Sequence, residues 1–143
     1  MTKLDFSLRL SSPSSKLIKL ATDYENFSAY LPGQIKSIKI IESNSEKTIT
    51  EEVLVFSTLK ISIEQRSVHT KMGNNQLFTE IISGPIKNSN IKTTYNQTEN
   101  GTEVIINLDL HVSLKYKILI PIIKKLYKSI LTGILYKMDF IEE

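Results

Sequence analysis

Between residues 35 and 114 the chain alternates apolar and polar side chains in six successive runs, with only short turn-like separators between them. The runs fall at about 35–43, 47–57, 59–70, 76–83, 90–98 and 102–114. Alternation at period two is the mark of a half-buried strand. Asn44-Ser45, Gly73-Asn74-Asn75, Gly84-Pro85 and Asn100-Gly101 separate the runs, and Asn-Gly is the strongest of these hairpin signals. Consecutive strands joined by short turns leave no room for helical crossovers. The pattern therefore predicts an antiparallel meander and excludes a parallel sheet.

A seventh strand precedes them. Leu4, Phe6, Leu8 and Leu10 share one face of the segment 4–10. Ser11-Ser12-Pro13-Ser14-Ser15 breaks that strand, and Ser14 or Ser15 is expected to cap a helix from about Lys16. Leu17, Ile18, Leu20 and Ala21 give that helix an apolar side. Tyr24, Phe27, Tyr30 and Leu31 continue the apolar side at three- and four-residue spacing, until Pro32-Gly33 ends the run.

After the last strand the period changes. From Pro121 to Glu142, Ile123, Leu126, Ile130, Ile134, Met138 and Ile141 recur at helical spacing. Ile122, Tyr127, Leu131 and Leu135 widen that face, and Lys124, Lys128, Thr132 and Asp139 mark its wet side. Pro121 suits a first helical turn. A helix of this length spans about 30 Å, enough to cross a whole curved sheet. The expected fold class is α+β, one domain over residues 1–143. It has a seven-stranded antiparallel curved sheet around a long C-terminal helix, and two short helices after the first strand.

Composition narrows the function. There is no cysteine, which excludes disulfides and thiolate chemistry. His69 and His111 are the only histidines and lack metal-ligand spacing, so no metal is expected, and no cofactor. In the last strand the phase directs Asp109 and His111 outward, into water. Glu51 and Glu52 are neighbours in a strand, point to opposite faces, and cannot form a catalytic carboxylate pair. Only Arg9 and Arg66 are arginines and the net charge is +3, which disfavours nucleic acid. The N-terminus lacks a signal-peptide core, and Lys124, Lys125, Lys128 and Lys137 interrupt the longest apolar stretch. A cytoplasmic location is expected. The positive excess concentrates at Lys115, Lys117, Lys124, Lys125, Lys128 and Lys137, which reads either as a solvated helix face or as a weak attraction to an anionic membrane surface.

Three strand faces turn polar part-way along. Leu59, Ile61 and Ile63 continue as Gln65, Ser67 and His69. Ile91 continues as Thr93, Tyr95 and Gln97. Leu77 and Ile81 share a face with Thr79 and Ser83. Two readings stay open: the strands run past the core into solvent, or the faces line an apolar cavity with a few orienting polar groups.

"KLIKLATDYENFSAYLPGQIKSIKIIES" resembles the opening of the START-like, helix-grip (SRPBCC) superfamily, closest to its coenzyme-Q-binding and polyketide-cyclase-like branch. Asp23, Tyr24, Phe27, Tyr30, Leu31 and Pro32 occupy its acidic, aromatic segment. "VLVFSTLKISIEQRSV" resembles the central hairpin. Gly84-Pro85-Ile86, Tyr95 with Gln97, and Gly101-Thr102-Glu103-Val104 resemble its later motifs. Ile86 stands where the pattern has Phe, Tyr95 where it has Trp, and Gln97 where it has an apolar aromatic. The resemblance implies a long helix gripping the sheet over a hydrophobic cavity. It also implies binding or transport of a hydrophobic small molecule, such as an isoprenoid quinone or lipid; the basic final helix or the lid of this chain would then make peripheral membrane contact for loading.

The candidate cavity residues are Tyr24, Phe27, Tyr30, Leu31, Ile63, Gln65, Thr79, Ile81, Thr93, Tyr95, Leu108, Leu110, Leu126, Ile130 and Ile134. Gln65, Thr79 and Tyr95 would orient a polar head, and Tyr24, Phe27, Tyr30 and Leu31 would be part core and part lid. The alternatives are a cyclase- or dehydrase-type enzyme, for which His69 is the one histidine in phase, and a protein-interaction module with a collapsed cavity. The ligand's identity and the oligomeric state stay open.

Overall fold

The computed structural model describes residues 2–57 and 60–141. Its elements are β1 (Thr2–Leu10), α1 (Ser14–Ala21), a 3-10 turn (Tyr24–Asn26), α2 (Phe27–Tyr30), β2 (Ile35–Ser43), β3 (Lys47–Phe56), β4 (Ile61–Met72), β5 (Gln76–Ile81), β6 (Asn90–Thr98), β7 (Gly101–Leu110), a second 3-10 turn (Leu114–Leu119) and α3 (Ile120–Phe140). The seven strands form one antiparallel sheet in the order β1-β7-β6-β5-β4-β3-β2. This is the α+β arrangement expected from the two periodicities, with the sheet curved around α3.

The differences from the sequence reading are local. The strand expected at 59–70 is described from Ile61 and runs on to Met72; Leu59 lies outside the described residues. The strand expected to reach Leu114 ends at Leu110, and Leu114 instead opens the second 3-10 turn. β5 stops at Ile81, two residues short of Ser83. The final helix, expected to run to Glu142, ends at Phe140, and Ile141, expected on its apolar face, is extended; Glu142 itself lies outside the described residues.

Neither Ser14 nor Ser15 caps α1. Pro13 holds the N-cap position and has no capping side-chain bond. The Ser14 amide donates instead to Gln97 Oε1, at 2.8 Å, from the end of β6. The helix start is therefore satisfied from across the fold rather than locally. At its other end Thr22 Oγ1 donates to the Ile18 and Lys19 carbonyls at 3.2 and 3.0 Å. That back-bonding explains why the aromatic run forms a separate turn and helix rather than extending α1.

Two register shifts between β2 and β3, at Ile35/Ser37 and Ile40/Glu42, bend that edge of the sheet. α3 lies on the concave face and buries Ile123, Tyr127, Ile130, Ile134, Leu135 and Met138 against it. Asp139, expected on the wet side, is half-buried. Its carboxylate accepts bonds from the Ser12 amide at 2.8 Å and from Ser11, tying the end of α3 to the link between β1 and α1. Asp109 faces outward but is only half-exposed. It sits between Lys3 of β1 and Asn90 of β6 in the ladder, and its Oδ1 is buried with no hydrogen-bond partner among the described residues. His111, expected outside, is half-buried, and its amide donates to Ser89 Oγ at 2.8 Å.

Candidate functional site

The face that turns polar along β4 does not leave the core. Gln65, Ser67 and His69 are only 4%, 1% and 9% exposed. On β3 the same phase buries Thr50, Glu52, Leu54 and Phe56, while Glu51 points outward to a 3.0 Å salt bridge with Arg66. Cross-strand register sets Glu52 opposite Gln65, Thr50 opposite Ser67, and His69 opposite Thr79. Six polar side chains on three adjacent strands thus meet under α3.

Buried polar groups must be paired, and these are. Glu52 Oε1 accepts from Gln65 Nε2 at 2.9 Å and from Ser67 Oγ at 2.7 Å. Glu52 Oε2 lies 3.2 Å from Thr50 Oγ1, which lies 2.8 Å from His69 Nε2. His69 Nδ1 lies 2.8 Å from Thr79 Oγ1. From the helix side, the Tyr127 hydroxyl donates to Gln65 Oε1 at 3.1 Å.

Thr50 has one hydroxyl proton, so the chain Glu52–Thr50–His69–Thr79 has two consistent proton patterns. When Glu52 is ionised, Thr50 donates to it, His69 Nε2–H donates to Thr50, and Nδ1 accepts from Thr79. When Glu52 carries a proton on Oε2, every bond reverses and His69 Nδ1–H donates to Thr79. Burial pushes the Glu52 carboxyl above its usual range, against the lowering effect of its three hydrogen bonds. Burial also pushes the His69 imidazole down to about 4, so it is neutral at pH 7.

Beside this chain lies a cavity of about 140 Å³ between the sheet, α3 and the short helices, not closed on all sides. A cavity of about 150 Å³ with apolar walls accepts a benzene ring, so this space holds a group the size of one six-membered ring. Most of its wall is apolar. Tyr24, Thr93 and Tyr95 also line it, and among the described residues their hydroxyls have no side-chain or backbone hydrogen-bond partner. Burial raises the Tyr24 phenol to about 12 and the Tyr95 phenol higher still, so both remain protonated donors at neutral pH.

Nine of the fifteen candidate cavity residues line this space: Tyr24, Phe27, Gln65, Thr79, Ile81, Thr93, Tyr95, Ile130 and Ile134. The Tyr24 ring stacks on His69 at 4.1 Å between centroids, with planes 19° apart, and Phe27 packs edge-on against Tyr24 at 5.8 Å. The other six do not line it. Ile63, Leu108 and Leu110 are buried in the hydrophobic core away from the cavity wall. Tyr30, Leu31 and Leu126 are half-buried and packed against the core. Leu31 sits over Gly133 of α3, where an added Cβ would come within 3.1 Å of its Cδ2. That glycine admits the close approach.

Sequence reasoning missed Glu52 and Tyr127 as wall residues, and it placed Ser67 and His69 on a face that could line a cavity without counting them among the candidates. Glu52 shares with Glu51 the look of an unpaired carboxylate. Its signal was the phase Thr50-Glu52-Leu54-Phe56, which turns polar part-way just as β4 does. Tyr127 belonged to the second apolar line of the final helix, and only the crossing of α3 over β4 reveals its reach. Of the departures from the resembled pattern, Ile86 is fully buried core and Gln97 is the cap of α1.

No helix among the described residues is long and apolar enough to cross a membrane, and no cluster of metal-ligating side chains occurs among them. No protein-family model and no curated protein sequence matches the chain. Solved structures do match. TTHA0849 from Thermus thermophilus superposes with a TM-score of 0.82 at 15% identity, covering 96% of this chain and 94% of that one. The Zhui aromatase/cyclase from Streptomyces sp. R1128 gives 0.82 at 8% identity, over 96% and 93%. A START superfamily protein from Mycobacterium smegmatis gives 0.75 at 16% identity, over 96% and 94%. These superpositions cover nearly the whole chain, and the seven-stranded antiparallel sheet, the long C-terminal helix and the short helices after the first strand give it the START-like helix-grip fold.

Proposed function

We propose that the protein binds a hydrophobic small molecule without transforming it, with a ring-sized polar head inside the cavity and any tail leaving through its open side. An isoprenoid quinone or a lipid of similar shape is the ligand class. The observation that carries this reading is the set of three unpartnered hydroxyls, Tyr24, Thr93 and Tyr95, on a mostly apolar wall whose other polar side chains, Glu52, Gln65, Ser67, His69, Thr79 and Tyr127, are hydrogen-bonded to one another. Ring oxygens on a ligand would complete them, and burial of its apolar surface would supply affinity at about 25 cal/mol per Å² before ordering costs. A cytoplasmic carrier role that exchanges ligand with membranes is consistent with this arrangement.

The chain has six tyrosines and no tryptophan, so its own fluorescence reports on the site. A short-chain benzoquinone is expected to quench it saturably. Ala21→Phe puts a ring into the cavity from α1, where Ala21 lines the wall, and is expected to weaken that binding by about tenfold. Linear, unsaturable quenching that is the same in both proteins would sink the proposal.

A second reading rests on the Glu52–Thr50–His69 chain. Its two proton patterns would let the cavity wall both give and take a proton, as cyclisation or dehydration of a polyketide-type substrate requires. If any such turnover is found and survives both His69→Ala and Glu52→Gln, that chemistry does not run through this chain.

A further inference from the structure

The exposed apolar side chains are not scattered evenly. Leu114 and Ile118 are 83% and 88% exposed, and both belong to the six-residue turn Leu114–Leu119 that links β7 to α3. The turn is held at both ends. The Ser113 amide donates to the Pro85 carbonyl at 3.0 Å, the Tyr116 amide donates to the Ser113 carbonyl at 2.8 Å, and Leu119 packs on the core. Two large apolar side chains are thus presented to solvent from a fixed backbone, so little ordering is left to oppose their burial elsewhere.

The charge around them has one sign. Lys115 and Lys117 alternate with the apolar pair, and Lys125 follows, exposed, in the second turn of α3. Between Asp109 and Asp139 the sequence has six lysines and no acidic residue. Among the described residues the one salt bridge is Arg66–Glu51, so none of these lysines is paired with a carboxylate. Lys128 is drawn back toward the protein, its Nζ 5.4 Å from the Phe6 ring centroid, and takes no part.

We propose that the turn Leu114–Leu119 docks the protein on an anionic lipid surface, with Leu114 and Ile118 entering the acyl boundary and Lys115, Lys117 and Lys125 meeting the headgroups. Exposed apolar tips ringed by unpaired cations are what such an interface selects. The sequence alone placed the basic excess along the whole C-terminal stretch, Lys115 and Lys117 included. The structure adds the apolar partner: the buried face of α3 is spent on the core, and the two most exposed large apolar side chains stand just before it. None of the docking residues lines the cavity, so the proposal stands apart from the ligand reading.

Vesicle co-sedimentation tests it. The protein is expected to bind vesicles of phosphatidylcholine with one third phosphatidylglycerol, less so as salt rises, and not to bind pure phosphatidylcholine. Leu114→Ser with Ile118→Ser is expected to lower partitioning by about tenfold or more, and Lys115→Gln with Lys117→Gln by about tenfold. Neither pair should shift the melting temperature, since all four side chains are exposed. Phe140→Ser, at the far end of α3 and also highly exposed, should bind as the wild type does. Wild-type protein left in the supernatant, equal binding to neutral vesicles, or undiminished binding by the Leu114/Ile118 variant would each overturn the proposal. So would self-association that this variant abolishes while vesicles go unbound. Saturable quenching by quinone, measured on the same samples, tells failure of docking apart from failure of the cavity reading.

Discussion

Gly101→Ala is expected to cost about 4 kcal/mol or more, or to prevent folding. Gly101 opens β7 with φ at 146°, a region L-residues rarely enter. A Cβ there would lie 2.0 Å from the Leu10 carbonyl oxygen and 3.0 Å from Ser11 Cα. Both are backbone, so no side chain can turn aside. The position matters to the site because β1 ends opposite it. Leu10 pairs with Thr102, and Thr102 Oγ1 donates to the Ser12 carbonyl at 2.8 Å, fixing where α1 begins. Displacing that junction displaces Ala21 and the Tyr24 turn beyond it. Urea denaturation measures the cost. Gly73→Ala is the control: φ there is 65°, with nothing within 4 Å of the added carbon. It should lose only about 1 kcal/mol. Equal losses at the two positions would show that backbone crowding at Gly101 is not what holds this junction.

The second large effect is a pH dependence carried by His69. Its imidazole titrates near 6.5 in the unfolded chain and near 4 in the folded protein, where burial disfavours the charge. Between those values the unfolded state holds the extra proton, so stability falls as the pH is lowered through that window. The full loss is about 3 kcal/mol, reached near pH 4. Glu52 acts in the opposite direction. Burial raises its folded-state titration, so its contribution is fully present below about pH 4.5, its ordinary value, and is lost as the pH rises. The clean measurement is therefore a difference. Relative to wild type, His69→Gln should gain about 3 kcal/mol between pH 7 and pH 4, whereas Glu52→Gln should gain as the pH rises from 4.5 toward neutrality. Wild type and His69→Gln losing stability in parallel on acidification would mean that the imidazole is not held neutral beside Tyr24.

The architecture was legible because it rests on periods that local sequence encodes. Alternation at Leu4 to Leu10 and at Val104 to Leu110, the turn signals at Gly73-Asn74-Asn75 and Asn100-Gly101, and the helical recurrence from Ile123 to Met138 each specify an element without reference to the others. Boundaries failed where distant groups decide them. Ser14 needs no cap of its own because Gln97 supplies one from β6, and Asp139 is drawn off the wet face by Ser11 and Ser12. The site was half legible for the same reason. Gln65, Thr79 and Tyr95 announce themselves as polar breaks in apolar strand faces. Glu52 does not, since its meaning depends on register with Gln65 and Ser67 across the β3–β4 pair. Leu108 and Leu110 share the inner phase of β7 with Ile106, yet only Ile106 borders open space. Periodicity reports which face is buried, and not whether anything fills the far side.

Native mass spectrometry tests the cavity most directly, on the protein as purified and again after incubation with a short-chain benzoquinone and with a fatty acid, followed by organic extraction. Binding of an apolar molecule with a ring-sized polar head predicts a discrete added mass, extractable into solvent and much reduced in Ala21→Phe. A bare protein mass in all three preparations would contradict it.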